Sequence, residues 1–242
     1  MIPALRAIAF LLFQLIVTPF YAVAMVLMAW SPRLWTYAMA ASWCGVNLWG
    51  ARWICGIRWR VDGLENVPAD TRAQPRIVMS KHSSTWETLS LTQYFPPLAY
   101  VAKKELLSIP FFGWGFRLAS PITIDRKAGT DAMEQIARQG RERFAQGFWI
   151  VVYPEGTRIR AGKRAKYKTG GARLAIAMDV PVIPVAHNAG HVWPKGLFGK
   201  RPGLITMTIG APISPTGKDP ATLTQEVERW IEGEVARLGV PS

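Results

Sequence analysis

Ala7 to Trp30 is an uncharged run of 24 residues, and Leu34 to Ala51 adds a further 18 after the break Ser31-Pro32-Arg33. Helices apolar on every face are rare in soluble proteins, so this front end limits the chain more than any other stretch. A continuous helix from Ala7 to Trp30 measures about 36 Å, enough to cross a roughly 30 Å hydrocarbon core. Pro19 argues against continuity, because proline removes a helix hydrogen bond and a break there leaves two halves too short to cross. Thr36, Ser42, Gly45, Asn47 and Gly50 weaken the second segment as a span. Six of the eleven Trp fall within the first 60 residues, which suits a membrane interface. These features predict a two-helix membrane anchor over residues 1–60. Arg6, the apolar run and Ala22-Val23-Ala24 imitate a signal peptide, but the apolar residues continue beyond them and a second segment follows.

The remaining residues, 61–242, have room for one sizeable α/β domain. Arg76 to Met79, Leu98 to Val101, Ile122 to Ile124, Phe148 to Val152 and Val182 to Val185 are short apolar blocks that read as buried strands, with Leu204 to Ile209 as a last one. Asp131 to Gln146, Thr169 to Met178 and Ala221 to Leu238 carry helical spacing, and Arg60 to Gln74 reads as a connector. The expected fold is therefore α/β, a mixed and largely parallel sheet flanked by helices behind the anchor. In such sheets the site lies beyond the strand C-termini. Five strands run there into polar groups: His82, Lys103 and Lys104, Asp125 and Arg126, the turn Tyr153 to Arg158, and His187 with Asn188.

His82-Ser-Ser-Thr-Trp-Glu87 holds the most chemistry. An imidazole accepts a proton near neutral pH, and a carboxylate on its other ring nitrogen fixes the tautomer and stabilises the imidazolium. Ser84-Thr-Trp-Glu87 also reads as a helix capping box, the bland alternative. Ser83 and Ser84 invite a Ser-His hydrolase reading, but sequence neighbours seldom point their tips together, and Gly-x-Ser-x-Gly is absent. The three His show no zinc spacing, so no metal is expected, and Cys44 and Cys55 read as free apolar fillers.

With 29 Lys and Arg against 16 Asp and Glu the formal charge is +13, densest in the six cations from Arg158 to Lys168. Such a run wants anions: nucleic acid, lipid headgroups, an acidic carrier protein or a phosphorylated substrate. Aromatic residues cluster in the anchor and only Tyr167 falls within the run, which favours lipid, so no nucleic-acid partner is expected. A solvated basic loop is the plainer account of its outer members, Arg160, Lys163 and Arg164.

Four blocks together resemble the 1-acyl-sn-glycerol-3-phosphate acyltransferase family of glycerolipid acyltransferases. They are His82 to Glu87; Lys103-Lys-Glu-Leu106 through Pro110 and Gly113 to Ile124-Asp-Arg126; Pro154-Glu-Gly-Thr-Arg158; and Val180 to Val185. The family usually has Asp where this chain has Glu87, one methylene longer. The resemblance implies a helical pair embedded in one leaflet, on a bacterial-type inner membrane with the catalytic domain facing the cytoplasm. It implies acyl transfer from acyl-CoA or acyl carrier protein, as co-substrate without further cofactor, to the sn-2 hydroxyl of lysophosphatidic acid. His82 is the expected base, oriented by Glu87. Arg158 is the first choice for the acceptor phosphate, then Lys103 and Arg126, with Gly156 and Thr157 beside it. Glu155 is expected to aim Arg158 or another cation, and Asp125 and Lys104 to be structural. Another acceptor, such as glycerol-3-phosphate, a different lysophospholipid or a lyso-aminolipid, fits the same dyad. A non-catalytic basic protein that binds lipid or nucleic acid, with His82 and Glu87 as a helix cap, is the remaining alternative.

Overall fold

The computed structural model describes residues 2–124 and 131–241. Two antiparallel helices, α1 (Ile2–Leu27) and α2 (Arg33–Cys55), lead into strand β1 (Ile57–Asp62). There follow β2 (Ile77–Ser80), α3 (Trp86–Tyr94), β3 (Leu98–Lys103), α4 (Phe112–Leu118), β4 (Ile122–Ile124), α5 (Asp131–Ala145) and β5 (Trp149–Val152). The chain ends with α6 (Gly170–Met178), β6 (Val182–His187), α7 (Ala189–Val192), β7 (Gly203–Ile209) and α8 (Pro220–Leu238). The strands form one seven-stranded sheet in the order β1-β7-β6-β2-β5-β3-β4, parallel throughout except where β6 meets β7.

The central strands β2 and β6 are buried at every position. Helices cover both faces of a parallel sheet, so its inner strands are continuous apolar runs without alternation. Helices α5, α6 and α8 pack side by side and against the sheet, while α2 packs on α3, α4 and β1. Parallel pairing of β2 with β5, and of β5 with β3, brings the ends that carry His82, Tyr153 and Lys103 to one rim. β1 occupies the start of the expected connector and begins at Ile57, ahead of the expected domain boundary. α2 ends at Gly56, whose φ of 71° is the left-handed conformation.

Helix α1 runs unbroken through Pro19, against the expected break. Its neighbour explains this. Gln14 donates to Asn47 at 2.9 Å, Trp43 donates to Thr18 at 3.3 Å, and the Tyr21 and Ser42 hydroxyls meet at 2.9 Å, so α2 holds α1 on both sides of the proline. Of the residues that weaken α2 as an isolated span, Ser42, Asn47 and Gly50 are thus contacts with α1, while Thr36 donates to Leu118 O and Gly45 faces Gln93. Ala4–Leu27 is long and apolar enough to cross a membrane, and only 17% of its most apolar stretch is buried. The pair is not a detached anchor, because Phe10, Tyr37, Cys44 and Leu48 belong to the same core as the sheet.

Asn47 is fully buried and also donates to Trp43 O at 2.9 Å. Asn47→Leu strips both Gln14 and that carbonyl of a partner, and is expected to lower unfolding free energy by about 1–3 kcal/mol. Thermal unfolding in detergent checks this against Trp49→Leu, an exposed change expected to leave the midpoint nearly unmoved.

Candidate active site

β2 delivers the chain to Lys81 and His82, and α3 starts four residues later. Ser84 Oγ accepts from the Trp86 amide at 3.0 Å and donates to Trp193 O at 2.6 Å. Glu87, in the first turn of α3, reaches back so that Oε1 accepts from the Ser83 and Ser84 amides at 3.1 and 3.0 Å. The same oxygen lies 2.9 Å from His82 Nδ1. Capping and the dyad are therefore one arrangement, and the extra methylene of Glu87 does not prevent the hydrogen bond. An ionised Glu87 accepts a hydrogen bond from Nδ1–H, which leaves Nε2 with its lone pair. The imidazole lies flat on Tyr153, with centroids 3.8 Å apart and planes 15° apart, and the Tyr153 hydroxyl is held by Thr88 at 3.0 Å.

Glu87 is fully buried. Burial alone pushes its carboxyl up, but the imidazoles of His187 and His82 and the Ser84 amide outweigh it, and the group sits below the ordinary carboxylate range. His187, unassigned by sequence, lies behind it with Nε2 at 3.7 Å from Glu87 Oε2. Burial holds the His187 imidazole below its ordinary value. Its Nε2–H donates to Lys81 O at 2.9 Å and its Nδ1 accepts from Ala189 N at 3.2 Å, which defines a neutral ring. What it offers Glu87 is an N–H dipole rather than a full charge. Asn188 is structural: its Oδ1 accepts from Thr206 N at 2.9 Å.

The turn Tyr153 to Arg158 is tied to the same loop. Glu155 Oε2 accepts from the His82 amide at 2.7 Å, and Ile159 N donates to His82 O at 2.8 Å. Glu155 does not pair with Arg158; its Oε1 lies 2.7 Å from Lys81 Nζ. Burial lifts the Glu155 carboxyl, and Lys81 pulls it partly back. Glu155 is buried and absent from the cavity wall, which corrects its placement among substrate-binding groups: it holds the base's backbone instead. Gly156 turns the chain at φ 70°, and a Cβ there would lie 3.1 Å from Lys168 Nζ. Arg158 Nη1 donates to Thr85 Oγ1 at 2.9 Å.

His82, Gly156, Thr157 and Arg158 open onto a cavity of about 930 Å³ that also reaches Lys103, Lys168 and Lys195. Its apolar wall comes from α1, α2, α4, α6 and the sheet, including Ala22, Met25, Cys44, Leu98 and Leu174. A polar end with an imidazole and four cations joined to an apolar chamber suits an amphiphile with an anionic head. Ser84, its hydroxyl held by Trp193 and Trp86, is poorly placed to attack. Arg126 and Asp125 lie outside the described residues. Lys195 and the His82 stack on Tyr153 escaped sequence reading, as did Lys81, although Lys81 directly precedes the histidine. Among the described residues no group of three or more His, Cys, Asp or Glu is placed to hold a metal ion.

A family model described as Acyltransferase matches residues 58–188. The chain is 44% identical over 200 residues to the 1-acyl-sn-glycerol-3-phosphate acyltransferase of Pseudomonas aeruginosa, covering 81% of this chain and 76% of that one. It is 30% identical over 177 residues to 1-acyl-sn-glycerol-3-phosphate acyltransferase alpha of Mus musculus, covering 70% of this chain and 60% of that one. The fold is similar to the crystal structure of the 1-acyl-sn-glycerophosphate acyltransferase of Thermotoga maritima, with TM-score 0.79, 24% identity, and 97% and 95% of the two chains covered.

Because Glu87 is depressed in the fold, its ionised form stabilises the protein above the unfolded-chain value of about 4.3. That contribution is lost as pH falls through the lower folded value. The stability gap between wild type and Glu87→Gln is therefore expected to be widest near neutral pH and to shrink on acidification below about pH 4. Equilibrium unfolding of both proteins across this range checks it; a gap independent of pH would refute the assignment.

Proposed function

Since the chain belongs to the 1-acyl-sn-glycerol-3-phosphate acyltransferase family and is an acyltransferase, we propose that it converts lysophosphatidic acid to phosphatidic acid at this cavity. The acyl group comes from a thioester, on coenzyme A or acyl carrier protein. The observation that carries the reading is the His82 Nδ1 to Glu87 Oε1 hydrogen bond of 2.9 Å beside a cavity lined by Arg158.

The acceptor's sn-2 hydroxyl donates its proton to His82 Nε2 as its oxygen attacks the thioester carbonyl. Positive charge then develops on the imidazole, and Glu87 stabilises it across Nδ1 without taking the proton. Collapse of the tetrahedral intermediate breaks the C–S bond, and the imidazolium returns its proton to the departing thiolate. No serine ester is formed. Arg158 grips the acceptor phosphate with its fork while Lys103 supports it, and Lys168 and Lys195 add charge at the same end. The apolar chamber takes acyl chain, and the exposed apolar side of α1 seats the enzyme in a membrane. A thioester donor made in the cytoplasm places the catalytic domain on that side.

His82→Ala is expected to lower kcat by about 10²–10⁴ while leaving KM for both substrates little changed. Release of free thiol from acyl-CoA or acyl carrier protein, measured with purified enzyme, checks this; an undiminished rate would remove the mechanism.

Arg158→Lys keeps the charge and loses the fork, so it is expected to raise KM for lysophosphatidic acid several-fold more than KM for the thioester. A lysolipid with a choline-capped phosphate should be a poor acceptor for the wild type and nearly indifferent to the change. Equal use of capped and free phosphate would transfer the reading to another acceptor.

A further inference from the structure

Helix α8 places a carboxylate on its buried face. Asp219 caps this helix by accepting from the Ala221 and Thr222 amides, and Leu223, Val227 and Ile231 follow at four-residue spacing toward the core. Glu232 comes next and is buried with them. Its Oε1 lies 2.7 Å from Lys81 Nζ and accepts from the Tyr167 hydroxyl at 3.0 Å, while Oε2 lies 3.4 Å from Arg164 Nε. Lys81 Nζ is equally 2.7 Å from Glu155 Oε1, so one buried ammonium stands between two buried carboxylates.

Stability does not call for this cluster, since a well-packed apolar replacement of a buried ion group is often at least as stable. Its position is the informative point. Glu155 spends its other oxygen on the His82 amide at 2.7 Å. The residue next to the base is thus fixed at its side chain by α8, and at its carbonyl by His187. With Glu232 present, Lys81 divides its attraction evenly, and Glu155 remains free to hold His82 N–H. Without Glu232 the ammonium draws Glu155 wholly to itself and loosens that hydrogen bond. Arg164 and Tyr167 tie the basic segment after Arg158 to the same carboxylate.

We infer that Glu232 is a positioning residue for the acyl transfer, holding the His82 imidazole on the acceptor hydroxyl through Lys81 and Glu155. The inference rests on the reading of His82 as the general base. Small displacements of a catalytic group are costly, so Glu232→Leu is expected to lower kcat about ten-fold, with KM for both substrates kept within about two-fold. Glu232→Gln retains an acceptor for Lys81 and Tyr167, and is expected to recover most of the rate, to within about three-fold of wild type.

The decisive measurement is the cycle with His82→Ala, made on the full chain in detergent. Once the base is gone its alignment has no value, so Glu232→Leu should cause no further loss of kcat in the His82→Ala protein. An equal loss in both backgrounds, a rise in KM in place of the fall in kcat, or no loss at all would overturn the inference. If the leucine variant fails to fold, the smaller loss in Glu232→Gln and its disappearance beside His82→Ala carry the same test. A fully active His82→Ala would instead refute the general-base reading, and this inference with it. A slow His82→Ala beside a silent Glu232→Leu would refute the positioning role alone.

Discussion

One carboxylate oxygen organises the catalytic end of this protein. Glu87 Oε1 receives hydrogen bonds from two backbone amides and the His82 imidazole, all within 3.1 Å. The amides belong to two buried residues in the turn just before α3, where a backbone donor needs an acceptor. By satisfying them the carboxylate fixes the helix start, and the helix start fixes the carboxylate. His82 is then oriented by the same contact that completes the fold. A side chain whose rotation is locked by backbone amides is a stiffer support for an imidazole than one held by solvent.

The cavity beside His82 belongs neither to the anchor nor to the sheet. Its wall draws on α1, α2 and α4 as well as β3 and the turn after β5. Hydrogen bonds between α1 and α2 keep the two helices in register across Pro19, and Gly115 of α4 faces Met25 of α1, its missing Cβ allowing close approach. The apolar helices thus have two sides, one exposed and apolar and one lining the chamber. An acceptor held by its tail in a membrane can reach this chamber without its acyl chain crossing water, which suits a base set at the chamber's polar end.

Charge is divided by depth. Lys103, Arg158, Lys168 and Lys195 stand on the cavity wall, where an anion can meet them, whereas Lys81, Glu155 and Glu232 are buried and pair with one another. The first group can recognise a ligand. The second cannot touch one and instead determines where the backbone of His82 lies. The net charge of +13 does not distinguish these uses, because Lys81 and Lys103 count alike in it.

The sequence by itself determined every strand block but β1, the long helices, the apolar front end and the dyad. Each depends on residues close together in the chain: periodic burial within one element, or His82 and Glu87 five positions apart at a helix start. Only the tertiary structure decided the partners of Glu155, Lys81, Glu232 and His187, the place of Lys195 on the cavity wall, and the continuity of α1 through Pro19. Glu155 meets the His82 amide across 73 positions, and Glu232 meets Lys81 across 151. No local pattern marks such pairs, because a buried charge reads like an exposed one until the sheet order brings its partner to it. Pro19 follows the same rule, since local propensity forecasts a break and packing against α2 overrides it.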